Sequence, residues 1–247
     1  MRPRVVQVIT FATALDAGNP ALVLLGAEDV DDRGARAAAS LMRADVLAVV
    51  DNPEYAKPRL RFSTPTGSHP GAGHVLHAAA HVALGFGGRE RIEFVLPDGQ
   101  TRPAWREGGR VATRVPVLPI SNPLDPDPVA AALGASPAEA RATPFGPLAV
   151  LADTEAVRSL VPDYAAVAAL GGTGTIVTAA DGPASIVVRV FAPNAGLPED
   201  PVCGTAHRLL APFWAPGARA AMIVSTFSAV TNTRPESVVG GSGFTTD

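Results

Sequence analysis

A single cysteine, Cys203, excludes an internal disulfide in this chain, and lysine is just as scarce, with Lys57 alone among arginines. Aromatic residues make up only 5% of the 247 positions. No stretch approaches the eighteen or so uninterrupted apolar residues that a membrane-spanning helix needs, because Gly, Pro or Arg breaks every apolar window. The amino terminus, Met1-Arg2-Pro3-Arg4 followed by a short Val/Ile run, lacks the apolar core and cleavage site of a secretory signal. A reducing, cytoplasmic location is the expectation. The 20 basic residues are scattered and the formal net charge is −3, so no electrostatic footprint for nucleic acid or an anionic membrane is present. With 47% hydrophobic and 17% charged residues, the chain has the composition of a folded globular protein.

The pattern along the chain mixes strands and helices. Arg4 to Thr13 is rich in β-branched residues, and Gly18-Asn19-Pro20 turns it into a second strand over Ala21 to Leu25. Asp29 to Met42 reads as a helix with Asp31 or Asp32 as its cap, followed by an apolar run from Ala44 to Val50 and a short strand, Arg59 to Ser63. His74 to Leu84, mostly Ala, Val and Leu, predicts a buried helix. A meander over Arg91–Leu96, Thr101–Glu107 and Arg110–Val117 closes the first half, with Pro97-Asp98-Gly99 and Gly108-Gly109 as its turns. The five prolines between Pro116 and Pro128 mark a linker, placing two domains at residues 1–118 and 119–247. In the second half a helix starts near Pro128. Strands follow at Leu148–Ala152, Thr175–Ala179 and Ser185–Phe191, and helices at Thr154–Leu160 and Tyr164–Ala169. A Pro/Gly loop then leads to one more helix and a strand at Ile223–Phe227, and the Gly240-Gly241-Ser242-Gly243 end is loosely specified.

The halves repeat a motif. Arg61-Phe62-Ser63-Thr64-Pro65 through Gly73-His74 and Val190-Phe191-Ala192-Pro193 through Gly204-Thr205 each run strand, proline, loop, glycine, helix, with Gly73 matching Gly204 and Ala72 matching Cys203. If the two helix amino termini faced one cleft, their backbone N–H groups and positive dipole ends would suit a substrate carboxylate. A glycine before a helix also serves a tight turn, so on these residues alone duplication and convergence stand level.

These segments, with Gly18-Asn19-Pro20-Ala21, Thr64-Pro65-Thr66-Gly67, Ala72-Gly73-His74, Val177-Thr178-Ala179 and above all Glu199-Asp200-Pro201-Val202-Cys203-Gly204-Thr205-Ala206-His207, resemble the phenazine-biosynthesis PhzF family. That family is similar in fold to diaminopimelate epimerase, and the resemblance spans nearly the whole chain. It implies an α/β (α+β) fold of two pseudo-symmetric halves. Each would be a curved, mostly antiparallel sheet around a central helix, with a site in the cleft between them and often a homodimer. It further implies a cofactor-independent isomerase that shifts a proton on a small unsaturated carboxylate in specialised metabolism. Asp45 matches the family's catalytic glutamate; His74 and Asp200 would orient the substrate or assist transfer. Gly73, Gly204 and Thr205 would hold its carboxylate, with Cys203 beside them. The alternatives on the same fold are a repurposed cyclase, dehydratase or epimerase, or a ligand-binding member without chemistry.

Three departures accompany the match. Asp45 keeps the carboxylate but shortens its reach by one methylene, about 1.5 Å, and proton transfer needs heavy atoms within about 2.6–3.2 Å. The loop before Ala72 reads Ser68-His69-Pro70-Gly71, where the family usually has Glu-Leu-Pro-Phe, and the tail after Trp214 is shorter. Standing in an apolar run, Asp45 is expected to be buried with a raised pKa, unless it is simply a water-exposed residue at the strand start. His74, at a helix start, would be held neutral by the dipole. His74, His77 and His81 share one helix face, which also resembles a metal site, but no acidic ligand follows at suitable spacing. No metal is expected, with His77 and His81 read as packing residues. Asp200 could alternatively cap the following helix. The diaminopimelate epimerase type pairs two cysteines, and Ala72 in the partner position disfavours a two-thiol racemase. A lone cysteine such as Cys203 is more often a small packing residue.

Overall fold

The computed structural model describes residues 3–11, 18–183, 185–201 and 203–215, together with the backbone of three strands at 220–225, 227–231 and 243–245. The chain divides into two compact units, residues 1–115 with 221–247 and residues 116–220. The sequence reading ran the second domain from residue 119 to the end. The difference lies after residue 220, where the sequence places a strand at Ile223–Phe227 and leaves the end loosely specified, and where a strand's own residues do not say which sheet it joins.

The first unit opens with β1 (Arg4–Thr10) and β2 (Asn19–Leu25), an antiparallel pair. Helix α1 (Asp32–Leu41) starts at Asp32, later than the sequence pattern suggested, because the Asp31 side chain accepts the Gly34 N–H at 2.7 Å and fixes the amino-terminal turn. Strand β3 (Leu47–Asp51) runs parallel to β2, and β4 (Arg59–Ser63) returns antiparallel to it. Helix α2 (Gly73–Phe86) then packs against the sheet, with Val75, Ala78, Ala79, Ala80, Ala83 and Leu84 fully buried. It touches β1, β2, β3 and the two strands β5 (Arg91–Val95) and β6 (Thr101–Glu107). So many alanines allow the helix to lie close to strands on several sides, which is the central-helix arrangement. β7 (Arg110–Pro116) completes the meander.

The second unit begins with α3 (Pro126–Leu133), capped by Asp125 with Pro126 in its first turn, then β8 (Glu139–Ala142) and β9 (Pro147–Val150), an antiparallel pair. Helices α4 (Thr154–Arg158) and α5 (Tyr164–Ala169) are capped by Asp153 and Asp163. β10 (Thr175–Ala180) runs parallel to β9, β11 (Ile186–Phe191) antiparallel to β10, and α6 (Gly204–Trp214) follows. Alternation along these strands separates two cores. Leu148, Ile176 and Val190 face Ala206, Leu209 and Leu210 of α6, whereas Ala149, Val177 and Phe191 face α3, α4 and α5. Each fully buried aliphatic side chain contributes about 1.5–3 kcal/mol, so this four-stranded sheet is secured from both faces.

The order antiparallel, parallel, antiparallel, helix is the same in β1-β2-β3-β4-α2 and β8-β9-β10-β11-α6, so the repeat read from the loops is a repeat of topology. Three further strands, β12 (Ala220–Ser225), β13 (Phe227–Thr231) and β14 (Gly243–Thr245), belong to the first sheet. That sheet has ten strands in the order β13-β1-β2-β3-β4-β5-β6-β7-β12-β14. Residues Ala12, Thr13, Gly240, Gly241 and Ser242, which the sequence reading also placed, lie outside the described residues. Among the described residues no helix is long and apolar enough to cross a membrane.

Candidate active site

Among the described residues, four of the six α-helices begin with an aspartate that caps them; the two that follow the repeated glycine motif do not. Ala72 precedes α2 and Cys203 precedes α6, and neither side chain makes a capping hydrogen bond. Both helices therefore present their first backbone N–H groups without a side-chain acceptor of their own, at the positive end of the helix dipole. Gly73 and Gly204 are the first helical residues, and His74 and Thr205 the second, all part-buried.

Asp45 has a different setting from the one its sequence neighbours suggest. Helix α1 ends in a turn in which the Ala44 N–H donates to the Ala39 carbonyl at 2.9 Å and Arg43 adopts a left-handed φ of 52°. Ala44 is buried, Asp45 is exposed, and the strand starts only at Leu47. The expected burial of Asp45 is thus corrected: the apolar run is interrupted by a turn, and its carboxylate stands in water.

In the second unit Asp200 is part-buried, and its backbone N–H donates to the Val190 carbonyl of β11 at 2.9 Å. It does not cap α6, since Cys203 occupies the N-cap. Its side chain is instead hydrogen-bonded to the Cys203 thiol. Cys203 is only 7% exposed and packs with Phe145, Ala206 and Leu209. Burial, with a smaller push from Asp200, drives its thiol up to about 12. A thiol so held is neutral at ordinary pH and supplies no thiolate.

His207, one turn into α6, is a site neighbour that the residue-by-residue sequence reading passed over. Its Nδ1 lies 2.8 Å from the Cys203 carbonyl, an acceptor only, which places the proton on Nδ1 and makes Nε2 the basic nitrogen. Burial lowers its pKa, while the Cys203 carbonyl and Asp200 act in the opposite sense. The signal was available in the spacing, because a side chain at i+4 can reach back to the carbonyl of the N-cap residue. Asp200, Cys203 and His207 thus form one cluster at the start of α6.

His77 and His81 are packing residues. His77 is fully buried, with Nε2 2.9 Å from the Thr113 hydroxyl and its ring edge-on to Phe11. His81 is pushed down to about 4 by burial and by the Arg106 guanidinium. Among the described residues no group of three or more His, Cys, Asp or Glu side chains is placed to hold a metal ion. An open cavity of about 710 Å³ lies in the second unit, lined by Val117 to Ile120, Glu139, Arg141, Pro212 and Phe213. It sits at the carboxy-terminal end of α6, away from Gly204 and Asp200.

Two α+β units share one strand–strand–strand–strand–helix topology, each with a glycine-started helix that lacks a side-chain cap, and this is the fold class of the epimerase-like proteins. Residues 8–233 match the model of the PhzC-PhzF family, phenazine biosynthesis-like proteins, and the chain belongs to that family. It is 35% identical over 212 residues to an uncharacterized isomerase of Pseudomonas aeruginosa, covering 85% of this chain and 80% of that protein. The crystal structure of a PhzF-family phenazine biosynthesis protein from Enterococcus faecalis superposes with a TM-score of 0.78. That match has 26% identity and covers 97% of this chain and 100% of the other. A predicted epimerase of Pseudomonas aeruginosa shares the fold alone, with a TM-score of 0.59 at 20% identity over 97% of this chain and 100% of that one. The protein is accordingly an isomerase of the PhzF type.

Proposed function

We propose that the protein moves a proton from one carbon to another on a small unsaturated carboxylate, without a cofactor, in the biosynthesis of a specialised metabolite. The observation that carries this reading is the contrast in capping. Of the α-helices among the described residues, only α2 and α6 lack a side-chain cap, and both lie within the residues matched to the family. Backbone N–H groups of Gly73 at the start of α2, and of Gly204 and Thr205 at the start of α6, are of the kind that hydrogen-bond a carboxylate. Asp45 takes the proton from carbon and returns it, with His74 and Asp200 orienting the substrate or relaying the proton. The exposure of Asp45 supports a group that meets its substrate from the solvent side. It equally suits a second reading, a ligand-binding member whose chemistry has been lost with the shorter side chain.

Solvent-deuterium incorporation separates the two. Small β,γ-unsaturated and cyclic amino or hydroxy acids are incubated in D2O with wild-type protein, Asp45→Asn, His74→Asn and Asp200→Asn, and carbon-bound deuterium is read by mass spectrometry. The isomerase reading expects uptake that falls by about 10²-fold or more in Asp45→Asn, the scale of a lost general acid–base group. Its thermal midpoint should hold, because an exposed substitution changes stability by no more than about 0.5 kcal/mol. Binding without uptake in the wild type, or uptake indifferent to Asp45, overturns it.

A further inference from the structure

The segment that carries Asp200 has little packing of its own. Leu197 is 48% exposed and Pro201 is exposed, yet the stretch ends at the first turn of α6, where the proposed chemistry requires a fixed geometry. Backbone hydrogen bonds from Leu197 to Ala192 and from Asp200 to Val190 hold it in part, and the side-chain anchor next to Asp200 is an arginine on the preceding strand. Arg189 of β11 pairs across the sheet with Val177, on the face turned toward α4. Its Nε and Nη2 donate to the two carboxylate oxygens of Glu199 at 2.9 and 2.8 Å, a bidentate pair. Its Nη1 donates to the carbonyls of Val157, Arg158 and Leu160 at 3.2, 3.3 and 2.8 Å, closing the carboxy-terminal end of α4. The guanidinium lies 4.8 Å over the Phe191 ring, so all three nitrogens and one face are engaged.

We propose that Arg189 is a positioning residue: by gripping Glu199 it fixes the backbone that presents Asp200 and opens α6. The assignment rests on the isomerase reading for its catalytic consequence, but not for the grip itself. An isolated surface ion pair would contribute little. Here the two side chains are 21% and 36% exposed, the contact is bidentate, and the same guanidinium is held by three carbonyls of another element. A lysine, a single point charge, cannot reproduce that fork.

The first unit carries the same device at the matching position. Rows Leu24–Val49–Arg61 and Ala149–Val177–Arg189 run across corresponding strands. Arg61 donates to the carbonyls of Ala27 and Val30 before α1 and to the carboxylates of Asp32 and Asp51. In each unit one strand arginine ties the sheet to backbone at the end of a helix. Only in the second does it also grip the loop next to a candidate site residue.

Hydrogen exchange of the full chain, followed by mass spectrometry, tests the grip in wild type, Arg189→Gln, Arg189→Lys and Glu199→Gln. Glu199→Gln leaves the carbonyl contacts of Arg189 in place and stands in should Arg189→Gln not fold. The expected result is exchange about tenfold faster over residues 197–205 in both Gln variants, with β10 and β11 unchanged and Arg189→Lys in between. Unchanged exchange in the loop, or a uniform rise throughout the second unit, overturns the proposal by leaving Arg189 a general staple. On a substrate that the wild type deuterates, kcat should fall up to about 10²-fold in Glu199→Gln while KM stays within about threefold. An unaltered kcat also overturns it. If the wild type deuterates nothing, the isomerase reading fails and the exchange experiment alone decides whether Arg189 holds the loop.

Discussion

Side chains of one type have been given opposite tasks by their surroundings, and the histidines show it most clearly. His74 stands at the start of α2, while His77 and His81, on the same helix, are enclosed by β-strands and by Arg106. Burial resists the imidazolium, so His81 binds its proton only near pH 4 in the folded chain against about 6.5 when unfolded. Between those values the unfolded chain holds more protons, and stability must fall as pH drops through the window and level off below it. The full effect is at most about 3 kcal/mol. His207 is lowered in the same sense by its burial and acts in the same direction. Urea unfolding at about pH 7 and about pH 4.5 should show a smaller acid loss in His81→Leu than in wild type. Equal losses in the two proteins would assign the acid sensitivity elsewhere.

Elements were legible where their signal is local. Strand β4 and helix α5 fall on the residues read for them, Arg59–Ser63 and Tyr164–Ala169, and of the two aspartates that could cap α1, Asp31 and Asp32, it is Asp31 that does so. Strand β8, Glu-Ala-Arg-Ala, was not legible, because nothing in four such residues favours a strand; pairing with β9 makes it one. Asp45 was singled out by motif with a buried and a water-exposed reading both open, and the turn that decides for exposure is built on a left-handed Arg43, where glycine would ordinarily announce the break. Arg189 carried no signal at all, since its partners are distant in sequence and an arginine on a strand looks solvent-facing. A glycine between elements is similarly silent until its neighbours are known. A Cβ on Gly174, just before β10, would stand 1.9 Å from the Phe191 carbonyl oxygen and 2.7 Å from Ala192 Cα, both backbone atoms that cannot move aside. Gly174→Ala should cost more than about 4 kcal/mol or abolish soluble expression. Gly67→Ala, with nothing within 4 Å and an ordinary φ, should stay within about 0.5 kcal/mol. Chemical denaturation of the pair checks this, and comparable midpoints would mean that the backbone at Phe191 and Ala192 gives way to a side chain at position 174.

At the scale of the whole chain, the repeated topology makes the units look equivalent, but their connectivity makes them unequal. The second unit is one continuous stretch whose sheet is covered on both faces by its own helices, α6 on one side and α3, α4 and α5 on the other. The first is assembled from two stretches. β13 pairs with β1 through five residue pairs, Val6–Thr231 to Thr10–Phe227, and β12 extends the sheet beyond β7. Residues 1–115 alone would expose both of those edges as unpaired strands, a template for aggregation. A fragment of residues 116–219 should therefore fold independently, with mixed α/β circular dichroism and a single cooperative urea transition, while residues 1–115 should be insoluble or lack such a transition. Adding a peptide that spans residues 220–247 should raise the solubility of the first fragment, because it supplies the missing strands. A cooperative first fragment without that peptide, or an unfolded second one, would show that the stability of each half is set by something other than its own sheet.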